Sequence, residues 1–177
     1  MRSLRTAALS ALTLTLSVVA APASAQSGAV DLDRFDGRWF EITRSHNDVQ
    51  KDCRRAQIDF NPQGSPNRYS VIVTCTRRAD GVVEILRANA RVTDPGTNLR
   101  FRFTLTGLLG VGGLAGQNYR VWDHAPDYSW AILALPNRSD WWVWHRSQSP
   151  SEAERARLTA RASALGLDTA AVVHTGR

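Results

Sequence analysis

Residues 99–106 alternate between apolar and polar side chains more cleanly than any other segment of the chain. Because successive side chains of a strand point to opposite faces, this pattern predicts a strand with one dry face and one wet face. The apolar set is Leu99, Phe101, Phe103 and Leu105, and the polar set is Arg100, Arg102, Thr104 and Thr106. Less regular alternation between turn-forming residues predicts seven more strands, over residues 38–45, 56–60, 69–76, 82–92, 118–123, 128–135 and 141–146.

Eight strands joined by hairpins, without an internal repeat, predict an all-β domain in the form of a closed antiparallel up-and-down barrel. The last two predicted strands are apolar on both faces, so they need a second layer outside the barrel. We predict that this cover is one C-terminal α-helix, which begins at a capping box of Ser149, Pro150 and Glu152 and ends at Gly166. Its predicted contact face is a stripe of small side chains at helical spacing: Ala153, Ala156, Ala160 and Ala164.

The first 25 residues have the composition of a secretory signal peptide. Arg2 and Arg5 precede an apolar stretch, and Ala23-Ser24-Ala25 provides the small residues of a cleavage site. We predict cleavage before Gln26, which leaves a barrel domain of residues 26–177 that is periplasmic or secreted. Because Gln26 replaces the cysteine that a lipoprotein would need, a lipid anchor is not expected.

The predicted mature protein is mildly basic. Loss of Arg2 and Arg5 with the signal peptide lowers the formal net charge from +6 to +4. In a cytosolic protein this charge would suggest nucleic acid as a partner. In an exported protein we expect weak attraction to anionic lipid and no nucleic-acid binding.

Two cysteines, Cys53 and Cys75, are predicted to form a disulfide because an exported protein meets an oxidising compartment. A hairpin centred on Gly64 would place them opposite each other on neighbouring strands. A metal pair and a reactive thiol are the alternatives. The sequence has no C-x-x-C motif and its four histidines lack metal-ligand spacing, so no metal site and no cofactor are expected.

The segment from Gly107 to Gly116 interrupts the strand pattern with apolar and glycine residues. Gly110, Gly112 and Ala115 within it match a loose dinucleotide-binding fingerprint. That fingerprint needs a helix N-terminus to hold the pyrophosphate, and a predicted strand follows here, so we exclude this interpretation. The segment is instead a candidate lid or peripheral membrane contact, with an unstructured spacer as the alternative.

Three short motifs, in their order and spacing, resemble those of the lipocalins, and of bacterial outer-membrane lipocalins in particular. Gly37-x-Trp39 opens the first strand after a short helical turn, Asp127-Tyr128 precedes the seventh strand, and Arg146 ends the eighth. The resemblance covers nearly the whole predicted domain and implies that Arg146 packs over Trp39 at the closed end of a lipocalin barrel. We therefore expect these residues to support the fold rather than to contact a ligand. The absent anchor cysteine and the long glycine-rich segment depart from the family pattern.

The same resemblance implies a barrel that binds a small hydrophobic ligand, and we predict an acyl lipid such as a fatty acid or lysophospholipid. The expected role is that of an exported carrier or scavenger in cell-envelope maintenance, acting without catalysis as a monomer or weak dimer. The predicted pocket combines inward-facing apolar residues with one polar anchor for the headgroup, Glu41. Its lining comprises Leu99, Phe101, Phe103, Leu105, Tyr119, Val121 and Glu41.

Two other classes of function stay open. A barrel filled by its own side chains would use the same inward residues and would act through its surface, as periplasmic protease inhibitors of similar shape do. An enzyme is the second class, because some lipocalins are catalytic. The sequence has no G-x-S-x-G motif and no evident nucleophile beside a base.

Overall fold

The computed structural model describes residues 28–48, 50–97, 99–105 and 118–176. The predicted signal peptide with its cleavage before Gln26, and the segment from Gly107 to Gly116, lie outside these residues. The described elements, in chain order, are α1 (Leu32–Phe35), β1 (Gly37–Ser45), β2 (Cys53–Pro62), β3 (Arg68–Arg77), β4 (Val83–Val92), β5 (Arg100–Leu105), β6 (Asn118–His124), β7 (Trp130–Ala134), β8 (Trp141–His145), α2 (Glu152–Ala164) and β9 (Val172–His174).

The strands form one antiparallel sheet that closes on itself. Each strand from β2 to β7 pairs with the next along the chain, β8 pairs with β1, and β1 pairs with β2. The predicted eight-stranded barrel with a helix outside it is therefore confirmed. A short ninth strand, β9, adds to the sheet beside β1.

Strand β1 changes its partner half-way along its length. Residues 37–41 pair with β2, whereas residues 43–45 pair with β9 on the same edge. On the other edge, the register against β8 shifts between Glu41 and Thr43, so Ile42 lies in a β-bulge. A bulge inserts an extra residue and interrupts the alternation of side chains, so residues on either side of Ile42 can face the same way.

The two ends of the barrel differ. Helix α1 lies at the end where β1 starts, and we call this the closed end. Gly37 connects α1 to β1 with a φ of +89°, a conformation that glycine adopts without a steric penalty. The loops from β1 to β2, β3 to β4 and β7 to β8 lie at the opposite end, which we call the mouth.

Apolar side chains form two clusters. The inner cluster occupies the barrel and includes Phe35, Phe101 and Trp142, while the outer cluster lies between the barrel wall and α2 and includes Trp141 and Leu158. Alternating residues of β7 and β8 thus contribute to both clusters. Their apolar pattern on both faces is explained by the helix that covers the outside.

The predicted contact face of α2 is wrong. Its buried residues are Arg155, Leu158 and Ala162, whereas the stripe of Ala153, Ala156, Ala160 and Ala164 is exposed. Turning Leu158 inward removes more apolar surface from water than turning an alanine inward would. Arg155 also donates hydrogen bonds to backbone carbonyls beneath the helix, which explains why a charged side chain is buried on this face.

The predicted start of α2 is also wrong, by two residues. The N-cap is Ser151, whose Oγ accepts a hydrogen bond from the Glu154 backbone N at 3.2 Å. Both Ser149 and Ser151 are followed three residues later by glutamate, so the sequence permits either start. The predicted end at Gly166 is correct, because Gly166 has a φ of +77° and follows the last helical turn. Within the described ranges, neither helix is long and apolar enough to cross a membrane.

Cys53 and Cys75 form the predicted disulfide, with their Cα atoms 5.6 Å apart. They are not directly opposite, because Cys53 pairs with Arg77 and Cys75 pairs with Ala56. The hairpin is centred beyond Gly64, since Pro62 pairs with Tyr69. A register shift between Cys53 and Arg55 brings the two cysteines within bonding reach near the mouth.

Candidate functional site

Phe35 of α1 fills the closed end of the barrel. Its ring centroid lies 5.1 Å from that of Trp39, 5.6 Å from that of Phe60 and 5.4 Å from that of Phe101. The Trp39 indole N–H donates a hydrogen bond to the Phe35 carbonyl at 2.8 Å, which ties α1 to β1. This end of the barrel is therefore packed core.

Arg146 covers Trp39 at the same end. Its Cζ lies 3.6 Å from the centroid of the indole. Nη2 donates to the carbonyls of Arg34 and Asp36, each at 2.8 Å, and Nη1 donates to the carbonyl of Arg38 at 2.7 Å. The cation–π contact and these charge-assisted hydrogen bonds join the end of β8 to α1 and the start of β1.

Asp127 and Tyr128 shape the turn that precedes β7. Tyr128 adopts a φ of +60°, and its hydroxyl accepts a hydrogen bond from the Asp31 backbone N at 2.6 Å. Asp127 Oδ1 accepts a hydrogen bond from the Ser129 backbone N at 3.0 Å. Hydrogen bonds from Ser129 lower the pKa of the Asp127 carboxyl, which stays ionised in the turn. Arg146 Nε also donates to the Tyr128 carbonyl at 3.4 Å, which links this turn to the end of β8.

A column of aromatic rings continues from the closed end toward the mouth. The centroid of Phe60 lies 5.8 Å from those of both Phe101 and Phe103. Phe103 lies 4.6 Å from Tyr119, and Tyr119 lies 5.1 Å from Trp142. Tilted and edge-to-face pairs of this kind are favoured by the ring quadrupoles. Aromatic rings therefore line the barrel interior from the closed end toward the mouth.

Six of the seven predicted lining residues have described side chains, and all six face the inside of the barrel. Leu105 ends β5, and its side chain lies outside the described part of the chain. Whether these seven residues contact a ligand stays a prediction, because side chains of a packed core and side chains of a pocket wall would both face inward. Phe101, Val121 and Glu41 are fully buried, and Leu99, Phe103 and Tyr119 are partly buried.

The β-bulge at Ile42 brings two opposite charges into the barrel. Glu41 and Arg44 are three residues apart, so strict alternation would send them to opposite faces. In the structure Glu41 pairs with Trp144 and Arg44 pairs with Trp142, and both tryptophans belong to the inner cluster. The two charged side chains are 1% and 0% exposed.

Glu41, Arg44, Gln50 and Trp142 form a polar network that we call the mouth cluster. Arg44 Nε lies 3.1 Å from Glu41 Oε1, at ion-pair distance but without hydrogen-bond alignment. Gln50 Nε2 donates to Glu41 Oε2 at 2.9 Å, and Trp142 Nε1 donates to Gln50 Oε1 at 2.7 Å. Arg44 Nη2 also donates to the backbone carbonyls of Gln50 and Cys53. The loop between β1 and β2 therefore folds inward over the ion pair.

Burial acts against the charged forms of both members of this ion pair. It raises the pKa of Glu41 to about 7, although Arg44 and Gln50 act in the opposite direction. It also lowers the pKa of Arg44, against the effect of Glu41. Because a guanidinium keeps its proton in proteins, Glu41 is the member that gains or loses a proton near neutral pH.

The bulge is held from outside by α2 and the C-terminal tail. Arg155 Nη1 donates to the carbonyls of Ile42 at 2.6 Å and Thr175 at 2.9 Å. Thr175 donates from its backbone N to the Ile42 carbonyl at 3.1 Å and from Oγ1 to the Glu41 carbonyl at 2.6 Å. The outer helix thus also fixes the backbone that directs Glu41 and Arg44 inward.

A family model described as a lipocalin-like domain matches residues 30–177 of the chain. The chain belongs to the lipocalin family. Among curated proteins, temperature-induced lipocalin-1 of Arabidopsis thaliana is 26% identical to it over 145 residues, which cover 78% of this chain and 75% of the relative. The relative is a plant protein, so the bacterial type of lipocalin stays a prediction.

Solved lipocalin structures share the fold at low sequence identity. Apocrustacyanin C2 superposes with a TM-score of 0.60 at 14% identity, over 82% of this chain and 78% of that one. Lobster apocrustacyanin A1 gives a TM-score of 0.59 at 14% identity, over 81% and 77%. The siderocalin Ex-FABP gives a TM-score of 0.54 at 12% identity, over 80% and 93%. At these identities the likeness establishes the fold alone.

Of the four residues in the lipocalin's mouth cluster, the sequence predicts one inside the barrel and does not predict the other three. Glu41 is the predicted residue, whereas Arg44, Gln50 and Trp142 belong to no predicted site. One signal was available in the sequence of β1. This strand has apolar neighbours, yet it contains both a glutamate and an arginine, three residues apart. Only a bulge allows both to lie inside, and the pattern of side chains does not say where a bulge will form.

Proposed function

We propose that this lipocalin binds a small amphiphile with an acyl chain, a fatty acid or a lysophospholipid, in the lumen between the aromatic rings and the mouth cluster. The observation that carries this proposal is a fully buried guanidinium, that of Arg44, beside the aromatic rings nearest the mouth in the apolar barrel interior. Family membership supports a binding role, and the siderocalin neighbour functions through dual ligand specificities.

The proposed site divides between a chain-binding wall and an anion-binding head. Phe103, Tyr119 and Trp142 provide the wall, where each buried CH₂ group of an acyl chain contributes about 0.8 kcal/mol. Arg44 provides the head, since a guanidinium matches the planar oxygens of a carboxylate or the oxygens of a phosphate. The ligand anion would replace Glu41 as the partner of Arg44, and Glu41 would take up a proton.

We further propose that the protein is an exported carrier or scavenger that acts in the cell envelope as a monomer or weak dimer, of the bacterial lipocalin type. The Cys53–Cys75 disulfide suits an oxidising compartment and leaves neither sulfur available as a thiol nucleophile, which favours binding over catalysis. The predicted membrane contact from Gly107 to Gly116 stays a prediction.

A second candidate function is that of a filled barrel that acts through its surface, in the manner of a protease inhibitor. The observation in its favour is the continuous series of ring contacts from Phe35 through Phe60 and Phe103 to Trp142. In this alternative the rings are core, and no ligand displaces them. The two functions differ in whether the purified protein holds or accepts an acyl lipid.

The experiment is lipid mass spectrometry of protein purified without detergent, followed by titration with a fluorescent fatty acid. We expect a stoichiometric acyl lipid or saturable binding. The double variant E41Q/R44M removes the ion pair without leaving a buried charge, and it should bind a carboxylate probe at least about tenfold more weakly, because a hydrogen bond to a charged group is worth about 1.5–3 kcal/mol. An uncharged acyl alcohol should bind both proteins alike.

The matched control is R38M, which changes an exposed arginine on the opposite face of the same strand. It should leave carboxylate binding unchanged. An empty extract together with no binding of either probe would reject the lipid-carrier function and favour the filled barrel. Equal binding of the carboxylate probe by E41Q/R44M and the wild type would show that Arg44 does not bind the ligand anion.

A further inference from the structure

Five exposed arginines cluster on the outer face of three consecutive strands, and we call this the arginine face. They lie at outward positions, because the residues that alternate with them, such as Tyr69, Ala90 and Phe101, belong to the inner cluster. Each of these side chains is exposed, so its guanidinium is available to a partner. The arginine face comprises Arg68 of β3, Arg87 and Arg91 of β4, and Arg100 and Arg102 of β5.

The strand register places like charges directly opposite each other. Arg91 pairs with Arg68 on one side and with Arg102 on the other. Neighbouring strands are about 4.8 Å apart, so three guanidinium groups project from one row across the sheet. Directly opposed like charges destabilise a sheet, so this row is not explained by the stability of the barrel.

The arginine face also lacks neutralising carboxylates. Among the described residues, the outward positions of β3, β4 and β5 hold no aspartate or glutamate. The ion pairs found in the described ranges involve other arginines, including Arg38, Arg77 and Arg157. The positive charge of this face is therefore directed to solvent.

The same face of β4 continues into exposed apolar residues. Val83 and Ile85 alternate with the inward positions as Arg87 and Arg91 do, and they are 55% and 57% exposed. Strand β4 thus presents apolar side chains near the mouth and basic side chains nearer the closed end. Basic and apolar side chains on a common face are typical of surfaces that lie on a membrane.

We propose that the arginine face, together with Val83 and Ile85, docks this lipocalin on a bilayer that contains anionic phospholipid. The guanidinium groups contact lipid phosphates, and the two apolar side chains enter the interface. This inference does not depend on the proposed ligand, because the face lies outside the barrel and shares no residue with the lumen.

A lipid surface fits these observations better than an acidic protein does. Within the described residues of β3, β4 and β5, the row contains arginines and no side-chain hydrogen-bond acceptors between them, so it offers positive charge without a specific arrangement of donors and acceptors. Such a row suits a surface of many equivalent phosphates. An acidic protein partner would gain no benefit from the adjoining exposed valine and isoleucine unless it carried a matching apolar patch. Binding to polyglutamate in place of vesicles is thus the outcome that separates the two partners.

The test is sedimentation with vesicles of mixed phosphatidylcholine and phosphatidylglycerol, with pure phosphatidylcholine vesicles for comparison. We expect the wild type to bind only the anionic vesicles, and to bind them less as salt is added. The triple variant R68S/R91S/R102S should partition about fivefold more weakly for each arginine removed, from about 1 kcal/mol per basic side chain near an anionic surface. The variant removes like-charge contacts, so it is expected to fold at least as well as the wild type.

The matched control is R38S/R77S/R157S, which removes three ion-paired arginines elsewhere and gives the same net charge. It should keep most of the vesicle binding. Equal loss in the two triple variants would show that net charge alone acts and would overturn the proposal. Absence of wild-type binding to anionic vesicles, or binding to polyglutamate alone, would also overturn it, and retained fatty-acid binding in R68S/R91S/R102S would show that the lumen is unaffected.

Discussion

The closed end and the mouth of this barrel each hold an arginine, and the two arginines are bound in different ways. At the closed end, half-buried Arg146 stacks on Trp39 and donates to backbone carbonyls. At the mouth, fully buried Arg44 faces the carboxylate of Glu41. The ring and the carbonyls that Arg146 contacts do not titrate, although its charge also interacts with the Asp36 carboxyl, whereas the carboxylate partner of Arg44 has a pKa raised to about 7.

This difference separates a structural contact from an adjustable one. The carbonyl acceptors of Arg146 are part of the backbone, so replacing them would require the fold to change. The carboxylate of Glu41 is a side-chain anion in a lumen, so another anion or a proton can take over its role. Under the proposed function, the mouth is therefore the end at which a charged ligand would exchange with a protein group.

The largest expected effect is that of R44M. Removing the guanidinium leaves Glu41 as an uncompensated buried carboxylate, and breaking a buried pair in this way costs about 3–5 kcal/mol. Urea unfolding at about pH 8 should show this loss. At about pH 5 the loss should be smaller, because Glu41 is then protonated.

The double variant E41Q/R44M is the control for that experiment. It leaves no buried charge, so we expect it to be close to the wild type in stability. If R44M and E41Q/R44M were equally unstable at about pH 8, the loss would come from the contacts of Arg44 with backbone carbonyls. The distinction between the two ends would then fail.

The second effect is the pH dependence of stability that Glu41 contributes. Because its pKa rises from 4.5 in the unfolded chain to about 7 in the folded protein, the folded state binds a proton that the unfolded state has released between these values. The contribution to stability is therefore complete below about pH 4.5 and is lost as the pH rises through about 7, by on the order of 3 kcal/mol.

Comparison with E41Q isolates the contribution of Glu41 to the pH dependence of stability. The lowered pKa of His145 makes the folded state more stable as the pH rises, but it does so equally in both proteins and cancels from the difference. The free energy of unfolding, measured from about pH 4.5 to about pH 8, should fall more steeply with pH in the wild type than in E41Q. Parallel curves for the two proteins would show that Glu41 keeps an ordinary pKa.

The smallest of the three effects is expected for R146K. Lysine keeps the charge but loses the planar fork and the stacked guanidinium, so we expect a loss of about 1–2 kcal/mol. This loss should be the same at about pH 5 and about pH 8, because lysine keeps the charge that acts on the Asp36 carboxyl, and the contacts that are lost are to carbonyls and a ring. R38K, at an exposed position of the same end, should have no comparable effect, and a pH-dependent loss in R146K would contradict the proposed contrast.

Much of the fold could be predicted from local patterns. The alternation over residues 99–106 corresponds to β5, whose Arg100 and Arg102 are exposed while Phe101 is buried. The apolar residues on both faces of β7 and β8 predicted an outer cover, which is α2. These features depend on periods of two and on short turns, which neighbouring residues determine.

The details of α2 could not be predicted in the same way. Two serines, each followed three residues later by a glutamate, allow two helix starts. In the structure the N-cap is Ser151, whose Oγ accepts a hydrogen bond from the Glu154 backbone N. The buried face contains Arg155, which a pattern of hydrophobicity assigns to solvent. Its burial is explained by carbonyls of Ile42 and Thr175 that lie far away in the sequence.

By itself, the sequence determined the barrel, its cover, the disulfide partners and the inward-facing aromatic residues. Each follows from side-chain periodicity or from an even count of cysteines in a chain predicted to be exported. Only the tertiary structure decided that Glu41 and Arg44 share the lumen and that Arg68, Arg91 and Arg102 form a row. The physical reason is register. A bulge or a shift of one residue reverses which face a side chain occupies, and register is determined by contacts between strands distant in the sequence.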